Sequence, residues 1–283
     1  MKVEIAELNQ YDIPGLIDLS ASVGWDYDEY EVRTLLESGR VFGHKNAAGR
    51  IVSSSAIIPY DTKLASIGMV IVHEEFRGLG LAMEAVQKCA ESINGDMSLM
   101  LIATKEGKSL YEKMGFKTVD FISKFLCDDF IPVHLQDHDG VFIEDFNQSD
   151  FAKLVNLDGA AFGDKRSVFL RNRISQSKQC LVVKNNNGEI IGYGLSIQGP
   201  VNLILGPIAA PDLDTAALIV EKLALHHKGK LRIDVPVGRK DFMPYLERSG
   251  FVKTNTPPVM MKNSAAMPQR NNTLYAIASQ AFG

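Results

Sequence analysis

The chain repeats itself, and that restricts its architecture more than any single motif does. "VEIAELNQYDIPGLIDL", from Val3, aligns without a gap on "VFIEDFNQSDFAKLVNL", from Val141: Val3/Val141, Ile5/Ile143, Asn9/Asn147, Gln10/Gln148, Asp12/Asp150, Leu16/Leu154 and Leu19/Leu157 coincide. Each copy reads as a short strand, a turn and a capped helix. Further on, "LYEKMGF" (Leu110 to Phe116) answers "YLERSGF" (Tyr245 to Phe251), each a helix end closed by a glycine suited to a left-handed C-cap. Two matches in the same order imply two copies of one topology. The polar, aperiodic stretch "CDDFIPVHLQDHDG", Cys127 to Gly140, places the boundary near residue 135, with a first domain over 1–132 and a second over 140–283.

The first copy reads as strand Val3 to Ala6, helices Ile13 to Ser22 and Tyr27 to Ser38, and strands Val41 to Lys45, Ile51 to Pro59 and Ala65 to Val72. The helix Leu81 to Ile93, a strand Ser98 to Ala103, the helix Gly107 to Met114 and strands over Lys117 to Phe125 follow. That order is α/β (α+β): a mixed central sheet flanked by helices, made twice. At 46% hydrophobic and 23% charged, the chain has the composition of folded domains, and disorder is not indicated. A net charge of −4 with no long basic block argues against nucleic acid as a partner. No apolar run approaches membrane-spanning length and no basic-then-apolar leader opens the chain, so no membrane role and a cytoplasmic location are expected. Cys89, Cys127 and Cys180 are too scattered for a metal knuckle and read as buried free thiols; no metal is expected.

Between the strand ending at Val72 and the helix opening at Leu81 lies "HEEFRGLG". Gly78 and Gly80 let backbone N–H groups approach a ligand at a helix N-terminus, where the dipole favours anions, and Arg77 adds a fixed cation. A strand, a glycine turn and a helix start make a pyrophosphate cradle, although the same glycines also serve a plain tight turn. The dinucleotide fingerprint fails, because Gly78-Leu-Gly80-Leu-Ala-Met83 lacks its third small residue, and a P-loop lacks its Gly-Lys-Ser/Thr.

"RGLGLA", Arg77 to Ala82, matches the Arg/Gln-x-x-Gly-x-Gly/Ala signature of the GNAT superfamily of N-acetyltransferases. "SLYEKMGF" then resembles that superfamily's second landmark, a helix with Tyr followed by Gly-Phe. The duplicated halves look like the bacterial two-domain type. The resemblance implies a chain that moves an acetyl group from acetyl-CoA, its cosubstrate, to a small-molecule or peptide amine by direct transfer in a ternary complex. The pantetheine arm would meet the backbone of Val70, Ile71 and Val72, and the pyrophosphate would lie on Arg77, Gly78, Leu79, Gly80, Leu81 and Ala82. Tyr111 falls where the family places the general acid that reprotonates the departing thiolate. Thr104 stands seven residues earlier, where the family often has a cofactor-touching Asn. The strand positions where many members carry a Glu base are apolar here, Leu64 and Leu99, which leaves His73, Glu74, Glu75 or a water relay for that role. Trp25, Asp26 and Tyr27 lie on the acceptor-side lip, where ring faces and charge could clamp an amine; a core-packing role for the lone Trp stays open beside it.

Carried back from the two Gly-Phe ends, the alignment sets Arg77 on Asp212 and Gly80 on Thr215, so the second copy has lost its cation and its glycines and is expected to be catalytically empty. Leu246 lies opposite Tyr111. A non-catalytic acyl-CoA-binding sensor is the reading from another class, and homodimerisation is left open.

Overall fold

A computed structural model describes residues 3–133 and 140–283; the expected boundary near residue 135 lies outside the described residues. The first half runs β1 (Val3–Leu8), α1 (Ile13–Ser22), α2 (Glu29–Ser38), β2 (Arg40–Asn46), β3 (Ile51–Pro59), β4 (Leu64–Val72), α3 (Leu81–Glu91), β5 (Ser98–Ile102), α4 (Lys108–Lys113) and β6 (Lys117–Cys127). The second runs β7 (Val141–Asp145), α5 (Phe151–Phe162), α6 (Ser167–Gln176), β8 (Gln179–Asn185), β9 (Ile190–Gln198), β10 (Asn202–Ala209), α7 (Leu213–Ala224), β11 (Lys230–Pro236), α8 (Met243–Arg248), β12 (Val252–Asn255), β13 (Pro258–Lys262) and β14 (Leu274–Ala276). The duplication therefore extends to every helix and to the strands between them. Gly115 (φ 88°) and Gly250 (φ 89°) close α4 and α8 in the left-handed conformation expected of them.

The halves follow one another along the chain but are not separate in space. One mixed sheet runs β1-β2-β3-β4-β5-β13-β6-β11-β10-β9-β8-β7, so β13 of the second half is inserted between β5 and β6 of the first. Val259 pairs with Ile102 on one side and Asp120 on the other. β6 repays the exchange: its beginning pairs with β13, while Ile122 to Cys127 pair with β11, and β12 covers the opposite edge of this second stretch. Each half thus takes its last strand from the other. Met260 is buried among Tyr111, Phe116, Leu101 and Val86, in a core otherwise built by the first half.

The C-terminal segment joins the halves a second time. Ala281 packs on Gly68 of β4, and Ser66 donates to the Ala281 carbonyl at 3.0 Å. Tyr60 of the first half hydrogen-bonds the Phe282 carbonyl, and Arg166 of the second donates to Gly283 O at 3.1 Å. Asp164 accepts from the N–H groups of Lys63 and Leu64, both at 2.8 Å, and so fixes the start of β4 from the second half. Cys89, Cys127 and Cys180 are buried free thiols, as expected.

Removing buried methylenes from β13 should therefore unsettle the first half. Met260→Ala is expected to cost about 2–5 kcal/mol in denaturant melts. A chain stopped at residue 132 exposes the edges of β5 and β6 and should give no cooperative transition by circular dichroism; a folded, monomeric fragment would show that the exchanged strand is dispensable.

Candidate active site

β4 and β5 are parallel partners only from Leu64/Ser98 to Ile67/Leu101. Beyond Ile67 the strands part, and among the described residues no strand pairs with Gly68 to Val72 on that side. An open edge within a sheet presents a row of main-chain donors and acceptors to whatever lies along it. At the mouth of this V, β4 carries a bulge: Ala56 faces Gly68 and Ser54 faces Ile71, so Met69 and Val70 together oppose Ser55. Met69 has φ 49°, a left-handed conformation unusual for its type, and the Ser54 hydroxyl holds its carbonyl at 2.8 Å. Strain of this kind persists where the surroundings fix it, and here it re-aims the backbone at the opening.

The turn after Val72 then folds back onto a helix start. Gly78 (φ 81°) and Gly80 (φ 78°) take conformations that side chains disfavour. Gly80 is the N-cap of α3 and supplies no side-chain cap. The first helical bond joins Glu84 N–H to Gly80 C=O at 3.1 Å, so the N–H groups of Leu81, Ala82 and Met83 face the turn without helical partners. Arg77 is exposed beside them, its Nε–H 3.4 Å from the Val72 carbonyl. Free donors and one cation in this arrangement are suited to an anion. Leu81 itself is buried with Val52 and Phe76, so only its main chain can face a ligand, and Leu79 is exposed. Ile71 is buried and Val70 and Val72 half-buried, which leaves their main chains for the same use.

Tyr111 stands on α4, the helix that follows β5. Its ring meets Phe116 edge-on at 5.9 Å and lies against Gly107, whose Cβ, if present, would be 3.0 Å from the ring and 3.4 Å from Thr104 Oγ1. The side chain is 7% exposed, and its hydroxyl has no hydrogen-bond partner among the described residues. Burial pushes its pKa up to about 12, so the group carries a proton throughout the physiological range. Thr104 spends its Oγ1 lone pair on the Gly107 N–H at 3.1 Å and starts α4, leaving its own hydroxyl proton to give. Leu64 and Leu99 lie in the apolar cores beside the paired stretch of β4 and β5, away from the opening. His73 is buried against Phe76, with Arg50 donating to Nε2 at 2.9 Å and Glu75 3.6 Å from Nδ1; Glu74 and Glu75 are exposed on the turn ahead of Arg77. Neither His73 nor the two glutamates adjoin Tyr111.

The second half keeps the scaffold of this site and closes it. β10 and β11 are parallel from Asn202/Lys230 to Leu205/Ile233 and then part, and β10 is bulged between Leu205 and Ile208. Here, however, β14 enters the gap: Ile208 pairs with Ala276 and Ala209 with Leu274. The helix start is closed too, because Asp212 is the N-cap of α7 and its carboxylate accepts the Thr215 N–H at 2.8 Å. Asp212 therefore corresponds to Gly80 and not to Arg77, three residues from where the alignment carried back from the Gly-Phe ends put it. Leu246 does take the place of Tyr111, accepting the Phe251 N–H as Tyr111 accepts that of Phe116, and the Tyr245 hydroxyl is tied to the Ala217 carbonyl at 3.0 Å.

Trp25, Asp26 and Tyr27 form the loop between α1 and α2. The Trp25 and Tyr27 rings lie 6.2 Å apart, half-buried on the apolar core that contains Met69 and Ile71, and Asp26 is exposed. Burial, then the charge of Glu31, pushes the Tyr27 hydroxyl above the ordinary tyrosine range, with Arg232 and Arg173 of the second half opposing. Glu31 accepts from Arg173, from Gln176 at 3.2 Å and from Ser279 at 3.4 Å. The sequence reading missed Lys124, Arg173 and Arg232 on this side. The signal for Arg232 lay in "LRIDV", where charged residues alternate with buried apolar ones along a strand.

Among the described residues no cluster suited to a metal occurs, and no helix is long and apolar enough to cross a membrane. Two family models, both described as an acetyltransferase (GNAT) domain, match residues 27–130 and 154–276. The chain is 40% identical over 281 residues to the uncharacterized N-acetyltransferase YitH of Bacillus subtilis (strain 168), covering 99% of this chain and 98% of that protein. A crystal structure of a candidate acetyltransferase from Pyrococcus horikoshii superposes with a TM-score of 0.83 at 19% identity, covering 99% of this chain and 96% of the other. A tandem GNAT protein of the clavulanic acid biosynthesis pathway superposes with a TM-score of 0.68 at 13% identity, over 94% of this chain and all (100%) of its own.

The state of Tyr111 is directly measurable. Its folded pKa exceeds the unfolded value near 10, so its contribution to stability is complete below about pH 10 and is lost as pH rises toward 12. Ultraviolet difference titration of the wild type against Tyr111→Phe should place its ionisation near pH 12; ionisation near pH 10 would show the hydroxyl to be solvated.

Proposed function

The chain belongs to the GNAT family of acetyltransferases, with two such domains in tandem, and on that premise we propose that its first half alone transfers acetyl from acetyl-CoA to an amine, in a direct ternary complex. One contrast carries the reading. The β4 edge and the α3 N-terminus are open in the first half, and their counterparts are filled by β14 and by Asp212 in the second.

The residues present fit the cosubstrate. Over Val70 to Val72 the edge of β4 away from β3 has no strand beyond Ile67, and its main chain there offers donors and acceptors to the amides of the pantetheine arm. The N–H groups from Gly78 to Ala82, with Arg77, receive the pyrophosphate. When bound, acetyl-CoA supplies the thioester that an uncharged amine attacks and the sulfur that must leave. Tyr111 holds a proton at its hydroxyl and donates it toward that sulfur. The burial that raises the Tyr111 pKa also disfavours a bare thiolate in the same place, and this keeps the transfer from running uphill. Thr104 fixes the start of α4 and so the height of the Tyr111 ring. Among the described residues no charged group acts on Tyr111, and on this reading a water relay takes the proton from the attacking amine. The acceptor is a small-molecule or peptide amine, and the three reduced, buried thiols suit a cytoplasmic protein.

Calorimetric titration with CoA should give a stoichiometry near one per chain, and near two would overturn the contrast between the halves. Gly80→Val should abolish that binding, since φ 78° is strained for a branched residue and the side chain would stand over the donors. Release of free thiol from acetyl-CoA with a panel of amines tests the chemistry. Tyr111→Phe should lower turnover by about 10²- to 10⁴-fold with CoA affinity little changed. Binding of CoA with no thiol release from any amine would favour an acyl-CoA sensor instead.

A further inference from the structure

Beside the first turn of α3 lies a chain of three polar side chains that the transfer reading does not use. His44 on β2 is buried, and Ser53 faces it across the β2–β3 register. The Ser53 hydroxyl accepts the His44 main-chain N–H at 3.2 Å and stands 2.6 Å from Nδ1 of the same ring. Ser53 is fully buried, and its one proton goes to Nδ1, which leaves the ring proton on Nε2. There Nε2 meets Glu84 Oε2 at 3.1 Å. Glu84 is the one acidic residue in the first turn of α3, and the rest of its side chain is exposed. The three have the order of a hydrolytic triad, but a fully buried Ser53 hydroxyl cannot meet a substrate.

Helical side chains lean toward the N-terminus of their helix, over the turn that precedes them. For Glu84 that turn begins at Gly80, to whose carbonyl its own N–H is bonded, and it carries the free N–H groups of Leu81, Ala82 and Met83. A carboxylate is drawn to such donors. Loose there, Glu84 would occupy them and offset the charge of Arg77. On Nε2 of His44 it is held toward β2 instead. The second half provides a comparison within the same chain. Its β8–β9 hairpin repeats the first down to the bulge, with Lys184 opposite Ile190 as Lys45 is opposite Ile51. Val183 then stands for His44 and Gly192 for Ser53, and, counted from the N-caps Gly80 and Asp212, Ala216 stands for Glu84. All three members are missing from the half in which a carboxylate, that of Asp212, does cap the helix.

We propose that His44, oriented by Ser53, is a positioning residue for the cosubstrate: it holds the Glu84 carboxylate off the α3 N-terminus and so keeps the donors there free for the phosphates of CoA. The assignment rests on the reading of that turn as the pyrophosphate site, and it gives none of the three side chains a part in the chemical step.

Calorimetry on the full chain, with CoA and separately with inorganic pyrophosphate, tests it. His44→Phe keeps a ring and removes the donor, and it should weaken both ligands about tenfold, the worth of one hydrogen bond to a charged group. Adding Glu84→Gln to that variant should restore the wild-type affinity, which it would not do for a damaged fold. Glu84→Gln alone should bind at least as well as the wild type. Glu84→Asp, at an exposed position, keeps the charge but draws it back from His44. It should weaken binding severalfold with an unchanged melting temperature, and it decides the matter should His44→Phe not fold. Wild-type affinity in either folded variant overturns the assignment, as when the freed carboxylate turns to Lys88 one turn on. A loss in His44→Phe that Glu84→Gln leaves in place overturns it too, because His44 then serves only the packing of α3. Pyrophosphate binding that follows the expected pattern in a chain that does not bind CoA would keep the role of His44 and remove the CoA reading. A wild type that binds neither ligand removes both. In active enzyme, His44→Phe should raise KM for acetyl-CoA with little change in kcat.

Discussion

A strand that leaves its neighbour uncovers a row of N–H and C=O groups, and a buried row cannot stay unpaired. Both halves of this protein create that situation at the same point, where β4 parts from β5 after Ile67 and β10 parts from β11 after Leu205. They meet it differently. In the second half the chain lays its own strand, Leu274–Ala276, into the gap, and the Ile277 N–H carries on to the Asp234 carbonyl at 3.0 Å. In the first half the edge stays available to a ligand that can offer amides in the same spacing. On the proposed reading a pantetheine arm would be, in hydrogen-bonding terms, the counterpart of β14, laid along β4 as β14 is laid along β10.

Leaving one edge open requires the rest to be held firmly, and the C-terminal segment supplies much of that hold. Arg166 and Asp158 are both fully buried, joined at 2.8 and 2.9 Å, with the guanidinium on the Phe162 ring at 3.9 Å and the Tyr193 hydroxyl on the same carboxylate. A buried ion pair gives little net stability over apolar packing, yet losing one member leaves a bare charge in the interior. What this pair does is specify geometry: the remaining Arg166 donor reaches Gly283, and Tyr60 reaches Phe282 beside it. The segment that lines β14 into one gap is thereby pinned over β4, against Gly68, at the entrance to the other.

The legible parts of the sequence were those governed by local rules. The duplicated strand-turn-helix, the amphipathic face of α3, the glycine C-caps and the Arg77–Ala82 turn all depend on residues close in the chain. The Asp212 register failed for a definable reason: 27 residues separate Leu81 from Lys108, whereas 30 separate Leu213 from Met243, so an alignment anchored on α4 and α8 slips by three at the earlier helix. The exchanged strand was not legible, because "PVMMK" states that it is a buried strand and nothing in it says in which half. β14 is three residues long, below any periodic signal. The pairing of β6 with β11, which puts Lys124 opposite Asp234, was not legible either, because it joins strands of different halves.

The two sides of the proposed site are also built from different kinds of group, and this has a consequence for how substitutions act. The cosubstrate side consists mainly of main-chain donors, fixed by a bulge, two positive-φ glycines and an uncapped helix. Its chemistry is indifferent to most side-chain changes but intolerant of changes in backbone conformation. The acceptor side proposed for it consists of side chains, Trp25 to Tyr27 in the loop between α1 and α2. There a single substitution alters charge or shape without moving β4. On the proposed reading, a duplicated fold that has filled the gap beside β10 with its own strand is free to use the same copy as a wall for the acceptor, so that the acceptor side can change without moving the donor side.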